Sequence, residues 1–133
     1  MIALDTSALV AVVLGEPEAG LFNQIIAVRQ AVVGAPTLVE AHMVLASRSA
    51  ESALLLDELV AGPSISVIAF DARMSEVAKL AFTRFGKGRG HPAQLNYGDC
   101  LSYAVAKVRA LPLLFKGQDF SRTDLVSAIP DTV

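Results

Sequence analysis

Apolar positions along this chain follow two rhythms. Short, mostly apolar runs at Met1–Leu4, Ala31–Val33 and Ile65–Phe70, with Leu111–Phe115 and Ser127–Ile129 further on, read as strands, the first of them a buried parallel one. Between them lie longer stretches with helical spacing and helical punctuation. Thr6–Leu14 ends at Gly15, and Pro17 opens a second helix that runs to about Arg29. Thr37–Arg48, Glu51–Val60, Asp71–Phe85 and Gly98–Ala110 follow, with Asp71 placed as an N-cap. Gly86–Pro92 (GKGRGHP) is a loop by its glycine and proline content. Leu21, Phe22, Ile25, Ile26 and Val28 make the second helix apolar on more than one face. That width fits deep burial, a dimer contact or a partner surface. Leu54, Leu55, Leu56 and Leu59 raise the same choice in the fourth.

Strands alternating with helices predict a single α/β domain over 1–133, a three-layer α/β/α arrangement around a central, mostly parallel sheet. In such a sheet the carboxyl end of each strand and the start of the following helix share one edge, and ligands bind there.

Composition narrows the class. Of the 133 residues, 53% are hydrophobic, enough for one core and incompatible with a disordered chain. No apolar run reaches the roughly 20 residues of a membrane span. The opening Met1–Asp5 carries no basic or cleavable leader pattern, which argues against export. A lone cysteine, Cys100, has no internal disulfide partner, so a cytoplasmic location is expected. The net charge of −2 conceals an asymmetry. Arg84, Lys87, Arg89, Lys107, Arg109, Lys116 and Arg122 share their stretch with only two acids, Asp99 and Asp119. Either a polyanion-facing surface or scattered solvated charge accounts for this.

Four acids are predicted at the shared sheet edge. Asp5 ends the first strand, Glu40 and Asp99 lie in the first turns of their helices, and Asp119 follows the Leu111–Phe115 strand. Gathered carboxylates repel one another unless a cation joins them, and oxygen-only ligands select a hard ion such as Mg²⁺. Each acid also has a structural reading. Thr37-Leu38-Val39-Glu40 matches a capping box, Asp5 favours a helix start, Asn96 with Asp99 reads as a cap, and Asp119 suits a turn.

Met1-Ile2-Ala3-Leu4-Asp5-Thr6-Ser7-Ala8 resembles the opening of PIN domains. Leu95-Asn96-Tyr97-Gly98-Asp99-Cys100 with Ser102-Tyr103-Ala104 resembles their third acidic motif. Leu113 to Phe120 (LLFKGQDF) resembles the fourth in a variant form, and Glu40 falls where the second acid is expected. Order and spacing are similar to the VapC branch of type II toxins. The resemblance implies a metal-dependent endoribonuclease, inhibited by a small VapB-type antitoxin and forming a homodimer, with Mg²⁺ as cofactor and Mn²⁺ as a substitute. On this reading Asp5, Glu40, Asp99 and Asp119 are catalytic. Asp5 and Asp99 hold the metal, Glu40 acts through water or on the nucleophile, and Asp119 completes the site. Thr6, Ser7 and Asn96 support them, with helix capping as the other account of each. Lys87, Arg89 and Lys116 are candidates to grip the RNA backbone.

Many relatives carry an acid at the place of Gly117, where this chain has none, so the role of Asp119 is the open point. A non-catalytic RNA-binding or regulatory PIN protein is the alternative. A phosphatase with an aspartyl nucleophile at Asp5 fits less well, because Ser7 stands where its second aspartate belongs. Tyr97 and Tyr103 are expected to pack, although base stacking is open to them. Cys100 is expected to be a buried small residue.

Overall fold

A computed structural model describes residues 1–130. Four short strands form one wholly parallel sheet: β1 (Ile2–Leu4), β2 (Ala31–Gly34), β3 (Ile65–Ile68) and β4 (Leu113–Leu114), in the order β3-β2-β1-β4. Between them run α1 (Thr6–Val13), α2 (Ala19–Arg29), α3 (Ala35–Arg48), α4 (Ala50–Ala61), α5 (Ala72–Phe85) and α6 (Tyr97–Arg109).

The three expected layers follow from the period-two alternation of the strands. Ile2, Leu4, Ala31, Val33 and Leu114 point into one core, which they share with residues of α1 to α4. Ala3, Val32 and Leu113 point the other way, into a core shared with α5 and α6. The two central strands, β1 and β2, are buried along their whole length, which is why their sequences read as continuous apolar runs. Phe22, Ile25 and Ile26 of α2 and Leu56 of α4 belong to the first core, so much of the width of these helices is plain burial. Leu21, Val28, Leu54 and Leu55 remain exposed.

Several boundaries differ from the sequence reading. Pro17 lies in a turn, and α2 begins only at Ala19. α3 begins at Ala35, with Gly34 as its cap and Pro36 in its first turn. Thr37 is therefore inside the helix and buried, the capping box at Thr37–Glu40 does not form, and Glu40 sits two residues further along the helix than expected. The Leu111–Phe115 run pairs as a strand only at Leu113 and Leu114, and Ser127 makes a single parallel bridge to Leu113. Asp71 caps α5 as expected, accepting from the Met74 amide at 2.9 Å. Among the described residues, no helix is long and apolar enough to cross a membrane.

Candidate active site

The sheet carries its carboxyl ends to one edge, and Asp5 is the first acid delivered there. Its amide continues the ladder by donating to the Leu114 carbonyl at 3.0 Å, so its position is set by the β1–β4 pair. The side chain then does two things at once. It caps α1, with Oδ2 accepting from the Ser7 amide at 3.0 Å and the Ser7 hydroxyl at 2.6 Å. Its other oxygen, Oδ1, accepts from the Ser102 hydroxyl at 2.5 Å. Asp5 is only 4% exposed, and these hydrogen bonds supply what burial takes from its carboxylate. Ser7 in turn accepts from the Lys116 amide at 3.0 Å, tying the segment after β4 to the start of α1.

Glu40 reaches the edge from α3 and accepts a short hydrogen bond from the Thr6 hydroxyl. The backbone of α6 leaves room for it only because residue 98 is glycine. A Cβ there would overlap the Glu40 carboxylate. Asp99 is held at the start of α6 by a complete capping box. Its amide donates to Asn96 Oδ1 at 2.9 Å, and its own Oδ2 accepts from the Asn96 amide at 3.1 Å. Asp119 is exposed, in the turn beyond β4.

Electrostatics shows that the four acids share one field. The Asp99 carboxyl is pushed up to about 7, first by burial and then by repulsion from Asp5, Asp119 and Glu40, against the opposing effect of the Asn96 amide. Among the described residues, no three carboxylate, histidine or thiol groups lie close enough to enclose one ion directly. Four carboxylates that share one edge, with mutual repulsion felt at Asp99, nonetheless have the chemistry that fits a hard divalent cation. Such an ion keeps several of its waters, and one or two direct carboxylates are enough for it.

The remaining candidates divide. Lys87 and Arg89 are exposed on the loop after α5, whose base is closed by Lys87 N to Leu95 O at 2.8 Å and Leu95 N to Phe85 O at 2.9 Å. Arg89 lies 5.9 Å from the centre of the Phe82 ring. Lys116 is engaged elsewhere, its ammonium 3.2 Å from Glu16 and 3.4 Å from Glu18. His91 is part of the loop's own framework, its Nδ1 accepting from the Ala93 amide and its ring set edge-on to Phe85. Tyr103 packs as expected, its hydroxyl donating to Asp124 at 2.6 Å. Tyr97 does not. It is 80% exposed and stands between two open apolar grooves of about 680 and 890 Å³, the second bordered by Glu40 and Gly98. The Cys100 thiol is buried and pushed up to about 11 by that burial and by Asp99, which makes it a poor nucleophile.

Gly98 and Ser102 were not among the residues expected to support the site. Both lie within the Asn96–Tyr103 segment. A glycine beside an acid in a helix's first turn was the available signal for one, and a hydroxyl one turn beyond Asp99 for the other. Gly117 has φ +100°, a left-handed backbone that an acidic side chain adopts only with strain.

Comparison with known proteins agrees with this architecture over nearly the whole chain. The PIN domain model matches residues 2–126. A curated protein named Ribonuclease VapC from Mycolicibacterium smegmatis is 44% identical over 128 residues, covering 93% of this chain and 97% of its own. Among solved structures, Mycobacterium tuberculosis VapC20, described as a sarcin-ricin-loop-cleaving toxin, superposes with a TM-score of 0.79 at 20% identity, covering 98% of this chain and all of its own. VapBC2 from Rickettsia felis, solved bound to a DNA fragment from its promoter, gives a TM-score of 0.74 at 17% identity, covering 96% of both chains. With its acids at one edge of a parallel three-layer fold and this similarity along its length, the chain belongs to the PIN-domain family, in the VapC ribonuclease branch.

Proposed function

We propose that this protein is a divalent-metal-dependent endoribonuclease, the toxin of a toxin–antitoxin pair, hydrolysing RNA phosphodiester bonds. The observation that supports this reading is the gathering of Asp5, Glu40, Asp99 and Asp119 at one edge of the sheet. Burial raises the Asp99 carboxyl, repulsion from Asp5, Asp119 and Glu40 adds to it, and such a grouping of carboxylates suits a cation. The names of the relatives supply the substrate class, RNA.

Asp5 and Asp99 are the direct ligands of the ion in this reading, taken to be Mg²⁺ with Mn²⁺ as a substitute. When bound, the ion neutralises developing charge on the phosphate and makes water a better nucleophile. The chain's own residues do the positioning. Ser7 and Ser102 orient Asp5, and Asn96 orients Asp99. Glu40, with one oxygen held by Thr6, keeps its other oxygen for a water or for the attacking group. Asp119, exposed at the rim, completes the negative field. Lys87 and Arg89 offer phosphate contacts on the neighbouring loop, whereas the pairing of Lys116 with Glu16 and Glu18 gives it a structural part first.

A VapB-type antitoxin is the expected partner. The apolar grooves on either side of Tyr97, one reaching Glu40, are a surface on which a partner would cover the site. A homodimer belongs to the same reading.

Purified protein incubated with structured and single-stranded RNA in Mg²⁺, Mn²⁺ or EDTA, with Asp5→Asn alongside, tests the proposal. Metal-dependent cleavage is expected, falling at least 100-fold in the mutant if one direct ligand is lost. RNA binding without cleavage by wild-type protein in either metal would instead favour a non-catalytic PIN protein.

A further inference from the structure

Ser102 is a buried serine in the middle of α6, 1% exposed, in a helix whose other inward positions are apolar or small. A serine inside a helix usually turns its hydroxyl back to a carbonyl of the preceding turn. Ser102 instead crosses to β1 and donates to Asp5 Oδ1 at 2.5 Å, a contact between residues 97 positions apart in the chain. It also stands three residues after Asp99, on the same face of the helix. One rigid turn of α6 thus carries both a carboxylate of the site and the donor that holds another.

The lone pairs of Asp5 sharpen the point. Each carboxylate oxygen accepts about two hydrogen bonds. Oδ2 has two donors, the amide and the hydroxyl of Ser7. Oδ1 has one, the Ser102 hydroxyl, and retains one acceptor position. We infer that Ser102 is a positioning residue for the metal site, fixing Asp5 so that Oδ1 is the oxygen offered to the cation and setting its placement relative to Asp99. The inference rests on the metal-dependent reading above and adds to it a residue and a specific ligand atom.

Two substitutions separate a hydrogen-bonding role from packing. Ser102→Ala removes the donor, and Ser102→Cys keeps a side chain of similar shape with only a weak donor. Mn²⁺ affinity of the metal-free protein is read by titration calorimetry, with Asp5→Asn as the control and thermal melting as the check on folding. Both Ser102 variants are expected to fold. Both are expected to lose about tenfold in Mn²⁺ affinity, the lower end of what loss of a partner to a metal ligand costs. In cleavage assays at fixed metal, kcat falls while KM for RNA stays near wild type. Wild-type affinity in Ser102→Ala overturns the inference, as does a Ser102→Cys protein that matches wild type, since volume alone would then suffice. If Asp5→Asn itself leaves Mn²⁺ binding intact, the metal reading fails and takes this inference with it. Loss in Asp5→Asn with no change in Ser102→Ala removes the inference alone.

Discussion

At the scale of single residues, three of the site's four carboxylates are held by donors close to them in space. Ser7 and Ser102 hold Asp5, Thr6 holds Glu40, and Asn96 holds Asp99. These donors stabilise individual acids but do not cancel the repulsion among them. The consequence for stability has a definite sign. The folded Asp99 carboxyl is pushed up to about 7 from an ordinary value of 3.8, so the folded protein binds this proton more tightly than the unfolded chain does. Its contribution is complete below about pH 4 and is lost as the pH rises through 7. Metal-free Asp99→Asn is therefore expected to melt above wild type at pH 8, with the advantage vanishing near pH 4, while cleavage is lost. Asparagine keeps an oxygen for the Asn96 amide, so the cap survives. Allowing for solvent screening of a partly exposed group, the gain is about 1–2 kcal/mol, or roughly 3–8 °C in Tm. Calorimetry of both proteins at the two pH values checks this, and an equal or lower Tm at pH 8 would remove the case for a shared field.

At the scale of elements, α6 organises the site. Its capping box directs Asp99, its glycine admits Glu40, and its first inward turn carries Ser102. Gly98 is where stability and activity part company. In a helix, alanine is favoured over glycine by about 0.5–1 kcal/mol. Here its methyl group would displace the end of the flexible Glu40 side chain rather than any backbone. Gly98→Ala is thus expected to leave stability unchanged or slightly raised and to reduce cleavage by about one to two orders of magnitude, in line with loss of a positioned general base or water ligand. Melting and steady-state kinetics on the same preparation test this. Full activity in Gly98→Ala would mean that the position of Glu40 is unimportant to the reaction.

Across the whole molecule, charge is distributed in a way the acidic total hides. Part of the basic excess is spent inside the fold. Arg84 and Lys107 reach Asp124, and Lys116 reaches Glu16 and Glu18. Burial works against the Asp124 charge, but the hydrogen bonds from Lys107 and Tyr103 outweigh it and hold this carboxyl below its ordinary range. Lys87 and Arg89 make no ion pair among the described residues and lie on an exposed loop beside the α6 start. Binding of single-stranded RNA by the inactive Asp5→Asn protein should therefore weaken with salt. Lys87→Ala and Arg89→Ala should each lower the slope of log K against log salt by about 0.7, the value for one phosphate contact, and Lys116→Ala by less. Slopes unchanged in both loop variants would place the RNA elsewhere on the surface.

Much of the architecture was legible in the sequence because it rests on local rules. Continuous apolar runs marked the buried strands, Asp71 and Asn96 marked helix starts, and alternation of elements implied a parallel sheet with helices on both faces. The convergence of Asp5, Glu40, Asp99 and Asp119 followed from that topology, since a parallel sheet sends every strand's carboxyl end to one edge. Other features were not legible, because partners distant in the chain decided them. Thr37-Leu38-Val39-Glu40 has the form of a capping box, yet the helix starts two residues earlier at Ala35, and Glu40 turns to Thr6 instead. Tyr97 sits at a packing-like spacing but is exposed as the first residue of α6, beside the buried Gly98. Lys116 belongs to a basic stretch and is claimed by acids of the turn before α2. The sequence by itself determined which acids are brought together and which edge they share. Only the tertiary structure decided which donor holds each carboxylate and which cations stay exposed, because hydrogen bonds and ion pairs depend on distances between segments that no local pattern encodes.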